Sequence, residues 1–295
     1  MRAATIGFKN LKKAGTPMDR SRFAPRIFFL ATAVLTLLGS AVRTVCYLTA
    51  FDTNVGYLNP GFLTALSNWL YFVSPAALIA IALIIPKNTL PTTLHQKLRA
   101  PSSILMAAAL IAFTVTVFIL YTPAKGSMLL PAVLLSIPAA LYYGISAAKN
   151  GRYPDWLSLL GFLPILWCVT AVADLYFDPF VTMNSPIKVS LQLGLLGFMA
   201  TVLGEIRFRI GRSLPRVAAF FFGISSFTCL TAAVPLLVAT GARVLDHPLH
   251  MMYAVVLLAA GLYSLDLLFQ YTCFIKENIH VHSPASESLG KGGTD

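Results

Sequence analysis

Three ionisable side chains interrupt long apolar stretches of this sequence: Arg43, Asp174 and Asp266. A charge inside hydrocarbon is costly, so such residues are functional candidates by default. Arg43 and Asp174 fall toward corresponding ends of their stretches, and a long arginine stem lets its head reach along an apolar surface to a partner. Their expected chemistry is an ion pair, serving either as a gate or as a pin between two helical units. Asp266 has Gln270 one helical turn later on the same face. That arrangement suits a protonatable or cation-binding group, and equally a hydrogen bond to a neighbouring helix or an ion pair with nearby arginines. Glu205 stands beside Arg207 and Arg209 and reads as a solvated partner of that basic cluster.

The elements that must position these groups follow from composition. With 57% hydrophobic and 11% charged residues, and a mean hydropathy of +0.75, the chain lacks the polar side chains to coat a water-soluble globule of 295 residues. A bilayer core of about 30 Å needs roughly 20 apolar residues per helix. Eight such spans are legible, near 26–50, 62–85, 104–122, 128–148, 156–176, 187–206, 217–240 and 249–272. The fold class is therefore all-α: a polytopic integral membrane protein of about eight transmembrane helices. The first span is too long for a cleavable leader and reads as a retained helix. A basic segment (1–25) precedes spans one to four (26–148); a linker (149–155), spans five to eight (156–272) and a tail expected to be disordered (273–295) follow.

The net charge of +11 is distributed by topology rather than by nucleic-acid binding. Eighteen of the 22 Lys and Arg residues fall in alternate segments: the N-terminus, the 86–103 and 149–155 loops, residues 207–216 and the tail. The positive-inside rule then places both termini in the cytoplasm. Arg207, Arg209, Arg212 and Arg216 suit anionic headgroups or an acidic partner at that face.

Phe51, Asp52 and Pro60 recur at a constant offset of 126 as Phe177, Asp178 and Pro186. Both sets fall in extracytoplasmic loops, where Asn59 or Ser185 would cap a helix that opens at the proline. Two readings stand: a duplicated four-helix unit, giving two parallel repeats, or the recurrence of a common helix exit and entry. In the sixth span Ser190, Gly194, Gly197, Thr201 and Gly204 are spaced four, three, four and three. They form one stripe of small residues that invites close approach by another helix, within the chain, in a homo-oligomer or in a partner membrane protein.

Cys46, Cys168, Cys229 and Cys273 form no C-x-x-C pair. Neither a disulfide framework nor a metal site is expected, and no cofactor is implied. His247, His250, His280 and His282 read as solvated histidines without the company of a metal site. No nucleophile, phosphate-binding or metalloprotease motif is present, so the chain does not read as an enzyme.

The F-D-x-x-x-G loop at Phe51–Gly56, "MNSP" at Met183–Pro186 and "EIRFRIGR" at Glu205–Arg212 together resemble a group of uncharacterised multi-pass membrane proteins from Gram-positive anaerobes. The resemblance implies a bacterial plasma membrane and carries no known activity. Two functions remain: transport or permeation of a small solute or lipid between two helical halves, or a non-catalytic sensor or scaffold for a partner.

Overall fold

The computed structural model describes residues 18–52, 55–85, 100–120, 129–148, 155–178, 184–210, 214–245 and 247–273. The basic N-terminal segment before residue 18, the 149–154 linker, Arg212 and the tail after residue 273 lie outside these residues, as do His280 and His282. Nine helices are present among them: α1 (Met18–Thr49), α2 (Phe62–Ile84), α3 (Ala100–Leu120), α4 (Leu129–Ala148), α5 (Asp155–Leu160), α6 (Phe162–Phe177), α7 (Pro186–Arg209), α8 (Pro215–Gly241) and α9 (Pro248–Cys273). The short α5 leads through a turn at Gly161 into α6, so the two together make one crossing, and eight stretches are long and apolar enough to span a membrane. The chain is an all-α polytopic membrane protein.

Successive helices alternate in direction, and contacts at the helix ends define two poles. At one, Ser185 donates to the carbonyl of Gly56 and Arg43 to that of Pro186. At the other, Arg216 Nε donates to the Ile85 carbonyl at 2.6 Å and Arg209 Nη2 to Ser146 Oγ at 3.3 Å. We refer to these as the hairpin pole and the basic pole.

The hairpin is a small departure from the all-helix expectation. Two-residue strands β1 (Phe51–Asp52) and β2 (Tyr57–Leu58) pair antiparallel, with Phe51 opposite Leu58 and Asp52 opposite Tyr57. Gly56 holds φ +77°, a region open to glycine at no steric cost, and its N–H returns to the Asp52 carbonyl at 2.8 Å. This turn delays α2. Its N-cap is Gly61, whereas the sequence suggested Asn59 before a helix opening at Pro60. Asn59 instead donates its N–H to the Ala50 carbonyl. Ser185 does precede Pro186 at the start of α7, but its hydroxyl reaches across to the hairpin and caps nothing.

Packing is centred on α7, α8 and α9. Most of α8 is buried within the protein, whereas α2 buries little beyond Ser67, Ser74, Leu78 and Ala82, so α8 is the central helix and α2 a peripheral one. The α1–α2 hairpin lies on α8, whereas the α3–α4 hairpin lies on α9 and α6. Spans one to four therefore form two helical hairpins on different parts of the α7–α9 core, and do not close into a bundle matching that of spans five to eight. Phe72, Phe118 and Trp69 project from the outer surface.

Candidate functional site

The buried face of α1 is polar. Thr32, Thr36, Ser40, Arg43 and Tyr47 follow one another at steps of four, four, three and four, which brings all five onto one side of the helix. That side packs toward α2 and α8, which contribute Tyr71, Ser74 and Phe227. The Arg43 guanidinium, 5% exposed, lies 4.7 Å from the centroid of the Tyr71 ring and 5.7 Å from that of Tyr47, and Nη2 donates to the Pro186 carbonyl at 3.1 Å. Its Nε completes no hydrogen bond. Neither do Thr36 Oγ1, Ser40 Oγ, Ser74 Oγ or the hydroxyls of Tyr47 and Tyr71, although Tyr47 lies beside the guanidinium and Tyr71 beside Thr231.

The expected ion pair between Arg43 and Asp174 is not formed. Asp174 sits on α6, which packs on α4 and α7, while α1 packs on α2, α8 and α9, so the two side chains face different neighbours. Asp174 Oδ2 accepts instead from Tyr253 of α9 at 2.9 Å. Beside this pair, His250 Nε2 lies 3.1 Å from Asp178 Oδ2. Lys188 is buried too and donates to the carbonyls of Tyr176 and Asp178, at 3.3 and 2.8 Å. The two aspartates of the recurring motif thus differ in role: Asp52 shapes the hairpin turn, where its Oδ1 accepts from Val55 N at 3.4 Å, and Asp178 belongs to this acid and histidine cluster.

At the basic pole Asp266 Oδ2 accepts from Ser102 of α3 at 2.6 Å and from Gln270 at 2.9 Å. Of the roles open to it from sequence, the hydrogen bond to a neighbouring helix is the one formed. Glu205 is 0% exposed, which corrects its reading as a solvated residue. It pairs with Arg209 one turn on and accepts from Tyr263 at 2.7 Å, while Arg209 lies over the Tyr142 ring at 5.2 Å. Arg209 and Arg216 are thus engaged within the protein, and Arg207 is the exposed member of the cluster among the described residues.

The small stripe of α7 faces inward. A Cβ on Gly194 would lie 2.8 Å from Leu257 Cδ1, and one on Gly197 only 2.2 Å from Thr228 Oγ1, so α7 meets α8 and α9 nearly backbone to backbone there. Thr201 shares a hydrogen bond with Ser264 at 3.1 Å, Ser190 Oγ donates to the Pro186 carbonyl at 2.6 Å, and a Cβ on Gly204 would meet Phe222 and Phe221 at ordinary contact distance.

Comparison with known protein families, curated proteins and solved structures finds no match.

What the arrangement can do must come from its chemistry. The α1 seam offers one fixed cation and several hydroxyls without partners, a set that can solvate a polar or anionic guest. The acids of α6, α7 and α9 have partners within the protein: Tyr253 for Asp174, Tyr263 and Arg209 for Glu205, and Ser102 and Gln270 for Asp266. Sequence reading missed Tyr253, Tyr263, His250 and Lys188 as members of these clusters, and also Thr36, Ser40, Tyr47, Tyr71 and Ser74 as members of the seam. For the α1 members a signal existed: the helical spacing of the polar residues around Arg43.

Proposed function

We propose that the protein carries a small polar solute or a lipid headgroup through the membrane, along the seam between the α1–α2 hairpin and α8. The observation that supports this reading is the set of buried polar atoms without partners on Thr36, Ser40, Arg43, Tyr47, Tyr71 and Ser74. A buried donor without a partner costs about 1–3 kcal/mol, and polar groups in a protein interior are nearly always satisfied by protein or water. Six in one seam make poor sense as a dry interface and good sense as the lining of a solute path. From Thr36 to Tyr47 the lining runs for about 16 Å of helix axis, roughly half the thickness of the hydrocarbon core.

The scaffold alternative drew on the α7 stripe and the arginines of the basic pole. That stripe is occupied by α8 and α9, and two of those arginines are engaged internally, so both features are weak support for an external partner. We keep the orientation from the charge distribution, with the basic pole and both termini cytoplasmic in a bacterial plasma membrane, and read the protein as non-enzymatic.

The test is flux. In proteoliposomes, the wild type should speed acetate or phosphate entry, followed by an internal dye, or the flip of a fluorescent phosphatidylglycerol. Arg43→Gln should reduce that rate about tenfold, equivalent to ~1.4 kcal/mol of lost interaction. Equal rates in protein-free vesicles and wild-type proteoliposomes for all three probes would refute the proposal.

A further inference from the structure

We infer that Arg43, Tyr47 and Tyr71 form a binding site for an oxyanion, a carboxylate or phosphate group, entering the seam at the hairpin pole. The inference rests on reading that seam as a solute path and adds the chemical class of what it accepts.

Charge comes first. The guanidinium is buried, and its neighbours are the Pro186 carbonyl, the rings of Tyr47 and Tyr71, and Cys46, none of them a carboxylate. Among the described residues, the nearest carboxylates at this pole are placed elsewhere: Asp174 bonds to Tyr253, Asp178 lies beside His250, and Asp52 serves the hairpin turn. A buried ion in a membrane protein normally faces a counter-charge or a water-filled cavity. Here, among the described residues, the protein supplies aromatic faces and a single carbonyl.

Hydrogen bonding gives the sign of the guest. Arginine offers only donors, in a planar fork that matches carboxylate and phosphate oxygens, and Nε remains unused. The rings of Tyr47 and Tyr71 flank the cation, and the Tyr47 hydroxyl lies beside the guanidinium, where it is able to donate to the same guest. Ser40, one turn deeper on α1, adds a further hydroxyl. Among the described residues a cation guest would find rings but no carboxylate, whereas an anion would find the fork and the Tyr47 hydroxyl.

Location adds a third element. The carbonyl that holds Nη2 belongs to Pro186, first residue of the 24-residue α7, so the guanidinium sits at the helix end where backbone dipoles favour negative charge. Arg43 lies six residues before the end of α1, or about 9 Å along its axis. That depth is reachable by a lipid phosphate drawn slightly inward, and by a free anion from solution.

Thermal unfolding of the full-length protein in nanodiscs tests this. One arm adds sodium phosphate or sodium acetate to phosphatidylcholine nanodiscs, with sodium chloride at matched ionic strength as control. The other replaces part of the phosphatidylcholine with phosphatidylglycerol. The wild-type midpoint should rise saturably in at least one arm; the first identifies a free anion as guest, the second a headgroup. Arg43→Gln should abolish the rise. Tyr47→Phe, which removes the hydroxyl beside the guanidinium and keeps the ring, should weaken the response at least about tenfold. The site is overturned if neither arm shifts the wild type, or if Arg43→Gln responds as the wild type does. Saturable binding without flux would sink translocation and leave the site standing. Flux that persists in Arg43→Gln would sink the site and leave translocation standing.

Discussion

Tyr263 and Glu205 show how an acid is kept inside this membrane protein. The carboxylate has a cation one helical turn away in Arg209 and a phenol donor from another helix. Removing one donor from a buried acceptor costs more than the net value of the bond, because the acceptor cannot return to water. Tyr263→Phe should therefore lower stability by about 1–2 kcal/mol, with membrane hydrogen bonds at the lower part of that range. Chemical denaturation in detergent micelles measures it, and an unchanged midpoint would mean that Glu205 is already satisfied by Arg209. Sequence reading placed Glu205 in solvent because its neighbours in the chain are Arg207 and Arg209. Helical phase decides otherwise: residue 209 shares its face, while residue 207 points roughly 200° away and is the exposed one.

At the scale of the element, α7 is defined by how close α8 and α9 come. A methyl group at Gly197 would meet Thr228 Oγ1 and the Ser225 backbone at 2.2 and 3.2 Å, whereas one at Gly204 meets ring atoms at ordinary contact distance. Gly197→Ala should cost about 1–3 kcal/mol through forced separation of α7 and α8, and Gly204→Ala should cost much less. Comparing the two midpoints isolates close approach from helix propensity, since both replacements gain the same propensity. The stripe itself was legible, because spacings of four and three fix a helical face whatever lies opposite. Its partner was not: small residues permit an approach without naming the helix that makes it. The same limit applies to Arg43 and Asp174, which were identified as exceptional but paired wrongly, since the sequence order of helices does not give their neighbours.

For the whole molecule, eight crossings could be read from the chain because 20-residue apolar runs separated by polar breaks have few alternative structures in a bilayer. The β-hairpin was hidden in a loop whose Phe-Asp motif suggested only a helix exit, and the separate seating of the α1–α2 and α3–α4 hairpins depends on packing that no periodicity encodes. The resulting whole is a close-packed α7–α9 core with a polar seam along one side. That seam is the central claim, and cysteine accessibility in intact membranes tests it most directly. Ser40→Cys faces the seam, while Leu37→Cys, on the exposed side of the same helix, faces lipid. A charged thiosulfonate reagent that cannot cross the membrane should modify Ser40→Cys at least about tenfold faster than Leu37→Cys, with the wild type, whose Cys46, Cys168 and Cys229 are buried, as background. Equal, background-level labelling at both positions would show the seam to be dry and contradict a solute path through it.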